Sequence, residues 1–178
     1  MSTKHRGFTL VELMVTLAMA IILLAVGMPL FSSVVGSNRA AAQVNDLVSA
    51  LKLARSEAVK RATAVTVCSS DDGGCGDAGG WTNGWIVYVD ANDDGAVDPD
   101  EVLRTWEALT AASTVDVSVA SVEFGPIGDS PTADAAADGF VNFELDNSEA
   151  TGSAGGGAKR CVTVTRTGQV RSGRGACP

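Results

Sequence analysis

Residues 4–31 read KHRGFTLVELMVTLAMAIILLAVGMPLF, and this stretch decides how the chain is organised. A basic segment ends at Gly7, and the next 24 residues, 8–31, carry a single charge, that of Glu12. As an α-helix rising ~1.5 Å per residue, this run is ~36 Å long, and the apolar part of a bilayer is ~30 Å thick. The run therefore predicts a single membrane-spanning helix, with the basic N-terminus in the cytoplasm and the rest of the chain outside.

An ordinary secretory signal peptide is the alternative interpretation. Its apolar core has about 7 to 15 residues and is followed by a cleavage site of small residues. Here the apolar run is longer, and the well-placed small residue, Gly7, precedes it. Glu12 would be costly inside a bilayer unless a cation paired with it. Cleavage between Gly7 and Phe8 would create such a cation, because it would give another copy of the chain a new N-terminal amine.

The same segment resembles the class III signal of type IV pilins and type II secretion pseudopilins, which has a short basic leader, a glycine and then Phe-Thr-Leu-x-Glu. The resemblance implies that a prepilin peptidase cuts after Gly7 and that the amine of Phe8 is methylated. It implies that Glu12 helps to dock the subunit into a filament. It also implies that, before assembly, the chain is anchored in the inner membrane with its globular domain in the periplasm.

The rest of the sequence predicts an α+β fold, in which a long N-terminal helix packs on antiparallel β-sheets. Apolar residues continue at helical spacing after the anchor: Val44, Leu47, Val48, Leu51, Ala54, Ala58 and Ala62. Short runs rich in Val, Thr and aromatic residues then predict strands: 63–67, 84–89, 102–107, 115–124, 140–145, 161–166 and 169–171. The segments 130–139 and 147–157 are predicted loops. The predicted parts are therefore a leader (1–7), a transmembrane and assembly helix (8–31), its amphipathic continuation (32–62) and a β-rich domain (63–178).

The cysteine content fits an exported domain, and the charge is unevenly divided along the chain. The net charge of −8 divides into +4 over residues 1–62, −17 over 63–158 and +5 over 159–178. Local disulfides are favoured among the three connectivities, pairing Cys68 with Cys75 and Cys161 with Cys177. A zinc site is the alternative, but the spacing does not fit one. The one histidine lies in the leader, so the sequence predicts no histidine base and no catalytic residues.

One acidic segment, DANDDGAVDPDE at 90–101, matches the calcium-binding loop of EF-hands position by position. The candidate ligands are Asp90, Asn92, Asp94, Asp98 and Glu101. The flanking sequences predict strands rather than helices, so the alternative is a β-hairpin tip built from Asx turns. Apart from this calcium hypothesis, the sequence indicates no cofactor.

The segments GWIVYVDANDDG (84–95), VLR (102–104) and VTVTRTGQVR (162–171) resemble the FimT/GspH family of pilin-like proteins. This resemblance implies a minor pilin or minor pseudopilin, a structural subunit that assembles with other pilins in a type II secretion pseudopilus or a type IV pilus; the sequence does not separate the two.

The alternative function is that of a FimT-like DNA-binding minor pilin acting in DNA uptake through a Gly-Arg-x-Arg motif. Here Gln169 stands in place of the first arginine of that motif. The candidate DNA contacts are Lys159, Arg160, Arg166, Arg171 and Arg174. Ion pairing of these residues with the acidic middle of the chain is the other interpretation.

Overall fold

A computed structural model of the protein describes residues 7–71, 73–110, 113–148 and 159–177, with the backbone alone described at 26–33. The predicted leader, apart from Gly7, lies outside the described residues. So does the predicted loop 147–157 beyond Ser148.

The first helix, α1, runs without a break from Leu10 to Arg61. Thr9 caps its N-terminus, because the Thr9 hydroxyl accepts a hydrogen bond from the backbone N–H of Glu12 at 3.2 Å. The helix ends at Ala62, whose φ of 54° is left-handed and whose N–H bonds to the Ala58 carbonyl. Ala62 is therefore exposed at the cap, and its predicted place on the apolar stripe was wrong.

Nine strands and a second helix follow in the described residues. In chain order the elements are β1 (Val65–Asp71), β2 (Gly74–Cys75), a 3-10 helix (Ala78–Asn83), β3 (Trp85–Tyr88), β4 (Val102–Trp106), β5 (Ser113–Asp116), β6 (Ser121–Phe124), α2 (Pro131–Ala135), β7 (Phe140–Asn147), β8 (Arg160–Thr165) and β9 (Val170–Arg174).

All strand pairings are antiparallel, and they form two sheets. Sheet one has the order β2-β1-β3-β4, with β6 also paired to β1. Sheet two has the order β5-β7-β8-β9. The second half of α1 packs on both sheets. The predicted α+β architecture is thus confirmed.

The core lies between α1 and the two sheets. From α1 it contains the predicted stripe residues Val44, Leu47, Leu51, Ala54 and Ala58, all buried, with Val48 half-buried beside them. The 3-10 helix inserts a fully buried tryptophan, Trp81, whose ring meets Phe143 of sheet two edge to face at 4.8 Å. Truncating such an aromatic side chain to alanine typically costs ~3 to 5 kcal/mol.

One predicted strand, 115–124, is in fact two strands in different sheets. β5 pairs with β7, whereas β6 pairs with β1. Between them the indole Nε1 of Trp81 donates to the Val119 carbonyl at 2.9 Å. Val117 and Val119 both pack on the core while the chain crosses from sheet to sheet, so the apolar alternation continues through the crossing.

The predicted loop 130–139 contains α2, so that prediction was incomplete. Ser130 is the N-cap of α2, accepting a hydrogen bond from the N–H of Ala133, and Pro131 occupies the first helical turn. A serine followed by proline is a common helix start, because the fixed φ of proline suits the first turn.

Candidate functional site

The N-terminal part of α1 is apolar on all sides and uncovered. Every residue from Gly7 to Leu24 is exposed, and Phe8 is 79% exposed. A helix that is apolar all round is normally surrounded by other apolar groups. Within the residues that the structure describes, no helix is both long enough and apolar enough to cross a membrane.

Glu12 lies in the first turn of this helix, where its negative charge is favoured by the helix dipole. Its backbone N–H is satisfied by Thr9. In the described part of the chain, no cation forms an ion pair with its carboxylate. Gly7 and Phe8, the predicted cleavage and methylation sites, immediately precede the N-cap residue Thr9 and lie outside the helix.

The acidic segment 90–101 connects β3 to β4 as a hairpin, with strands rather than helices on both sides. The structure brings the five predicted calcium ligands into this one loop, but their oxygens already have partners. The carboxylate of Asp90 accepts from the N–H groups of Asp94 and Gly95, at 3.2 and 2.9 Å. The carboxylate of Asp94 accepts a hydrogen bond from the backbone N–H of Ala96 at 2.8 Å.

Glu101 closes the base of this acidic hairpin. It is buried, and its two carboxylate oxygens accept from the N–H groups of Ala91 at 2.8 Å and Asp98 at 3.3 Å. The amide of Asn92 donates to the carboxylates of Asp94 and Asp98.

Among the described residues, no group of three or more His, Cys, Asp or Glu side chains is arranged to hold a metal ion. The observed geometry is that of a hairpin tip built from Asx turns.

The cysteines form two local disulfides, Cys68–Cys75 and Cys161–Cys177. The first joins β1 to β2, and the second joins β8 to the C-terminal segment. These are the local pairs favoured by the sequence, and in the chain-entropy model loops of this size stabilise a fold by ~2 to 3 kcal/mol each.

The five candidate DNA contacts do not share one face. Arg160 and Arg174 are directly opposite each other on β8 and β9, whereas Arg171 pairs with Thr163 and so points to the other side of sheet two. Because successive side chains in a strand alternate between faces, these arginines cannot form one flat patch. The guanidinium of Arg166 lies against Gly139, where an added Cβ would be 2.7 Å from its Nη2.

Two of these basic side chains, those of Arg171 and Lys159, have polar partners. Nε of Arg171 donates to Oε1 of Gln169 at 3.0 Å. Lys159 forms an ion pair with Glu144, which also accepts from the N–H of Cys177 at 3.2 Å. The Lys159 hydrogen bond, then that of the Cys177 amide, lowers the pKa of Glu144, and the Glu144 carboxylate raises the pKa of Lys159.

Sequence reasoning missed a pair of hydrogen bonds from Arg55 at one end of the domain, which we call the Arg55 clasp. Arg55 of α1 donates to the carbonyls of Gly128, in the loop after β6, and Thr167, in the turn between β8 and β9. It also missed a polar contact at the other end, where the hydroxyl of Ser113 donates to Gln43 of α1 at 2.7 Å. No local pattern predicts contacts between residues so distant in sequence.

Comparisons with known proteins agree with this geometry. A family model described as type II transport protein GspH matches residues 43–168, and one for the prokaryotic N-terminal methylation motif matches residues 2–28. No curated protein matches the chain.

Two solved structures share the fold. One is the type IV minor pilin FimU of Pseudomonas aeruginosa (strain PAO1), 20% identical, with a TM-score of 0.56 over 75% of this chain and 87% of that one. The other is the minor pseudopilin EpsH from the type 2 secretion system of Vibrio cholerae, 13% identical, with a TM-score of 0.52 over 76% of this chain and 97% of that one.

Proposed function

The chain belongs to the GspH family, and we propose that this minor pilin or pseudopilin is cleaved between Gly7 and Phe8 and enters a filament through the first half of α1. Members of this family are structural subunits that assemble with other pilins in a filament. The observation that carries the proposal is the exposed, largely apolar surface of α1 from Leu10 to Leu24, which has no covering partner in the described chain.

In this proposal a prepilin peptidase removes the leader, residues 1–7, and the amine of Phe8 is methylated. Before assembly, residues 8–31 span the inner membrane, and the domain that begins at residue 63 lies in the periplasm, joined to the span by the helical segment 32–62. The apolar surface then exchanges lipid for the helices of other subunits, so no large apolar area is exposed to water at any stage.

Glu12 has a separate part in the proposal. The new amine of Phe8 and the carboxylate of Glu12 carry opposite charges within an apolar bundle. A buried charge without a partner costs several kcal/mol, so pairing Glu12 of one subunit with the amine of a neighbour would favour the correct axial register.

The experiment measures processing and assembly separately. The full chain is expressed with its prepilin peptidase, and intact mass analysis is expected to show a mature chain that begins with methylated Phe8. Glu12→Ala is expected to be processed normally but to be lost from purified filaments, because the change affects docking rather than cleavage. Asp46→Ala removes an exposed carboxylate further along the same helix and serves as the matched control. A mature chain that begins at Met1, or that is cut after residue 31, would contradict the proposal.

The same filament preparation shows whether this chain belongs to a type II secretion pseudopilus or to a type IV pilus. Co-purifying subunits of a type II secretion pseudopilus or of a type IV pilus, identified by mass spectrometry, would assign this chain to one of the two.

A further inference from the structure

Strand β7 extends four residues beyond its neighbour β5. β7 runs from Phe140 to Asn147, but β5 pairs only with its second half, and this ladder ends where Asp116 lies opposite Glu144. After Asp116 the chain leaves sheet two and crosses to β6 in sheet one. Among the described residues, the edge of β7 from residue 140 to 143 therefore has no neighbouring strand on that side. This open edge is ~13 Å long.

The hydrogen bonds of β8 establish which of its residues bond to β7. Thr165 donates its N–H to the Gln169 carbonyl, and the carbonyl of Lys159 accepts from Gly175, so residues 165 and 159 bond toward β9. Hydrogen-bonded and non-hydrogen-bonded pairs alternate along an antiparallel ladder. The even-numbered residues of β8, such as Val162, therefore bond toward β7.

It follows that Asn142 directs its backbone N–H and C=O into the open edge. Val162 is opposite Phe143, so Phe143 bonds toward β8, and its neighbour Asn142 bonds to the other side, as Glu144 does. On that side no strand residue is opposite Asn142, because the ladder with β5 ends at Glu144. The loops and turns of the described chain supply no backbone hydrogen bond to Asn142 either.

The open edge forms one wall of a cleft of about 560 Å³, which we call the β7 cleft. Its other walls come from the crossing segment, at Ser118 and Val119, and from α2 and the turn that follows it. Asn142 lines the cleft together with Phe140, which is 45% exposed. Because the crossing segment and α2 occupy the space beside β7, a single extended chain fits there, without a sheet of its own behind it. A second copy does not provide such a chain in the residues that the structure describes, because its strands all belong to sheets.

The same part of the fold closes another strand edge with side chains. In β6 the N–H of Glu123 donates to the hydroxyl of Thr132, and the carbonyl of Glu123 accepts from the hydroxyl of Ser130. No side chain in the described part of the chain does the same for the backbone of Asn142. Unpaired N–H and C=O groups on a strand edge are a template for pairing with another chain.

The β7 cleft is at the end of sheet two that is farther from the anchoring half of α1. Phe140 pairs with Thr165, just before the turn that Arg55 holds. Arg55 lies ~18 Å along the helix from Gln43, whose contact with Ser113 marks the end where α1 leaves the domain. The cleft therefore lies away from the bilayer and from the uncovered half of α1, where a neighbouring protein can reach it.

We propose that the β7 cleft binds an extended segment of a different filament subunit, which adds to β7 as a strand in line with β5. This inference rests on the proposed function, which supplies the neighbouring subunits. The N–H and C=O of Asn142 bond to the backbone of the added segment. Side chains of a strand alternate between two faces, so those that face Val119 and Ala135 are small, and those on the other face lie beside Phe140.

Amide hydrogen exchange tests the added strand directly. The full, processed chain is compared in membranes without the other subunits and in purified filaments. The N–H of Asn142 is expected to exchange at least tenfold more slowly in filaments, whereas those of Val141 and Phe143, which bond to β8, are protected in both states. Equal exchange rates of the Asn142 N–H in the two states would overturn the inference.

Two variants of Asn142 separate its backbone from its side chain. Asn142→Pro removes the free N–H, and proline is tolerated in a strand where the N–H is not used by the ladder. Asn142→Ala keeps the N–H and is the matched control, because both variants lose the hydrogen bond from Thr163 to the Asn142 side chain. Co-purification of the bound subunit is expected to fall about tenfold with Asn142→Pro relative to Asn142→Ala. Equal co-purification with both would overturn the inference, and if Asn142→Pro does not fold, the wild-type exchange rates decide.

Photo-crosslinking identifies the occupant of the cleft. Benzoylphenylalanine is placed at position 140 or at position 118, on two walls of the cleft, in chains that assemble into filaments. Both positions are expected to link to the same short segment of one other subunit. Links to a second copy of this chain, recognised by mixing isotopically light and heavy copies, or to different segments from the two positions, would overturn the inference.

Intact mass analysis of the same filaments separates the two proposals. A chain that begins at Phe8 and is present in filaments, but whose Asn142 N–H exchanges as fast as before assembly, would overturn the β7 cleft proposal alone. An unprocessed chain that is absent from filaments would overturn the proposed function and, because no neighbouring subunit remains, this inference with it.

Discussion

The carbonyl oxygen of Gly128 accepts a hydrogen bond from Nε of Arg55 at 2.8 Å, and this bond fastens the loop after β6 to helix α1. The same guanidinium donates through Nη2 to Thr167, in the turn between β8 and β9. One side chain of α1 thereby holds a loop from sheet one and a turn from sheet two. The clasp requires the two backbone segments to approach closely at Gly168.

Gly168→Ala is expected to destabilise the protein by more than ~2 kcal/mol. An added Cβ would lie 2.0 Å from the carbonyl oxygen of Gly128, and the φ of Gly168, +69°, is left-handed. Strain of this backbone kind alone costs ~1 to 3 kcal/mol, and the contact with backbone cannot be relieved by turning a side chain. Denaturant unfolding of the full chain in detergent measures the change.

Gly173→Ala is the matched control for this clasp, since a Cβ at that position on β9 meets nothing within 4 Å. We expect its effect to stay within ~0.5 kcal/mol, as for most surface changes. Similar losses for both variants would mean that Gly168 is not specifically required.

Calcium is expected to leave the melting temperature unchanged relative to a chelator. The carboxylates of Asp90, Asp94 and Glu101 accept backbone N–H groups of their own loop, and these bonds already hold the hairpin closed. Glu101→Gln should lower stability by ~1 kcal/mol with or without calcium, because one partly buried backbone N–H loses its acceptor. A rise in melting temperature with calcium that Glu101→Gln abolishes would instead support the calcium-binding hypothesis.

The sequence predicted those parts of the fold that have a local periodic signal. The stripe from Val44 to Ala58 specified the buried face of α1, and the Val-rich runs specified most of the strands. The chain crossing after β5 was missed because Val117 and Val119 continue the alternation while the partner strand changes. Clasps such as that of Arg55 depend on tertiary contacts between distant segments, so no window of sequence contains them. The dispersal of the basic residues over two faces became visible only with the strand register.

DNA is expected not to shift in a mobility assay with the full chain at moderate salt. Lys159 is paired with Glu144, and Arg171 faces away from Arg160 and Arg174, so few cations can contact one duplex together. The net charge of −8 also opposes the approach of phosphates. A shift that persists at moderate salt and is lost in Arg171→Gln plus Arg174→Gln would favour the DNA-uptake alternative.

The ion pair between Glu144 and Lys159 predicts a defined pH window of stability. The hydrogen bonds from Lys159 and from the Cys177 amide lower the pKa of Glu144 below its ordinary 4.5, so its contribution is present above that value and is lost as the pH falls through the lowered one. Glu144 raises the pKa of Lys159 above 10.5, so the contribution of the lysine is lost only as the pH rises through that higher value.

Glu144→Gln should therefore melt below wild type across the range from about pH 5 to 10, and the difference should shrink in acid, where wild-type Glu144 is itself protonated. Asp134→Asn, an exposed carboxylate on α2, is the matched control and should show no such window. A difference between Glu144→Gln and wild type that is as large at pH 3 as at pH 7 would mean that the variant acts through packing. In that case the charge of Glu144 would not be what holds Lys159 and the C-terminal disulfide segment against sheet two.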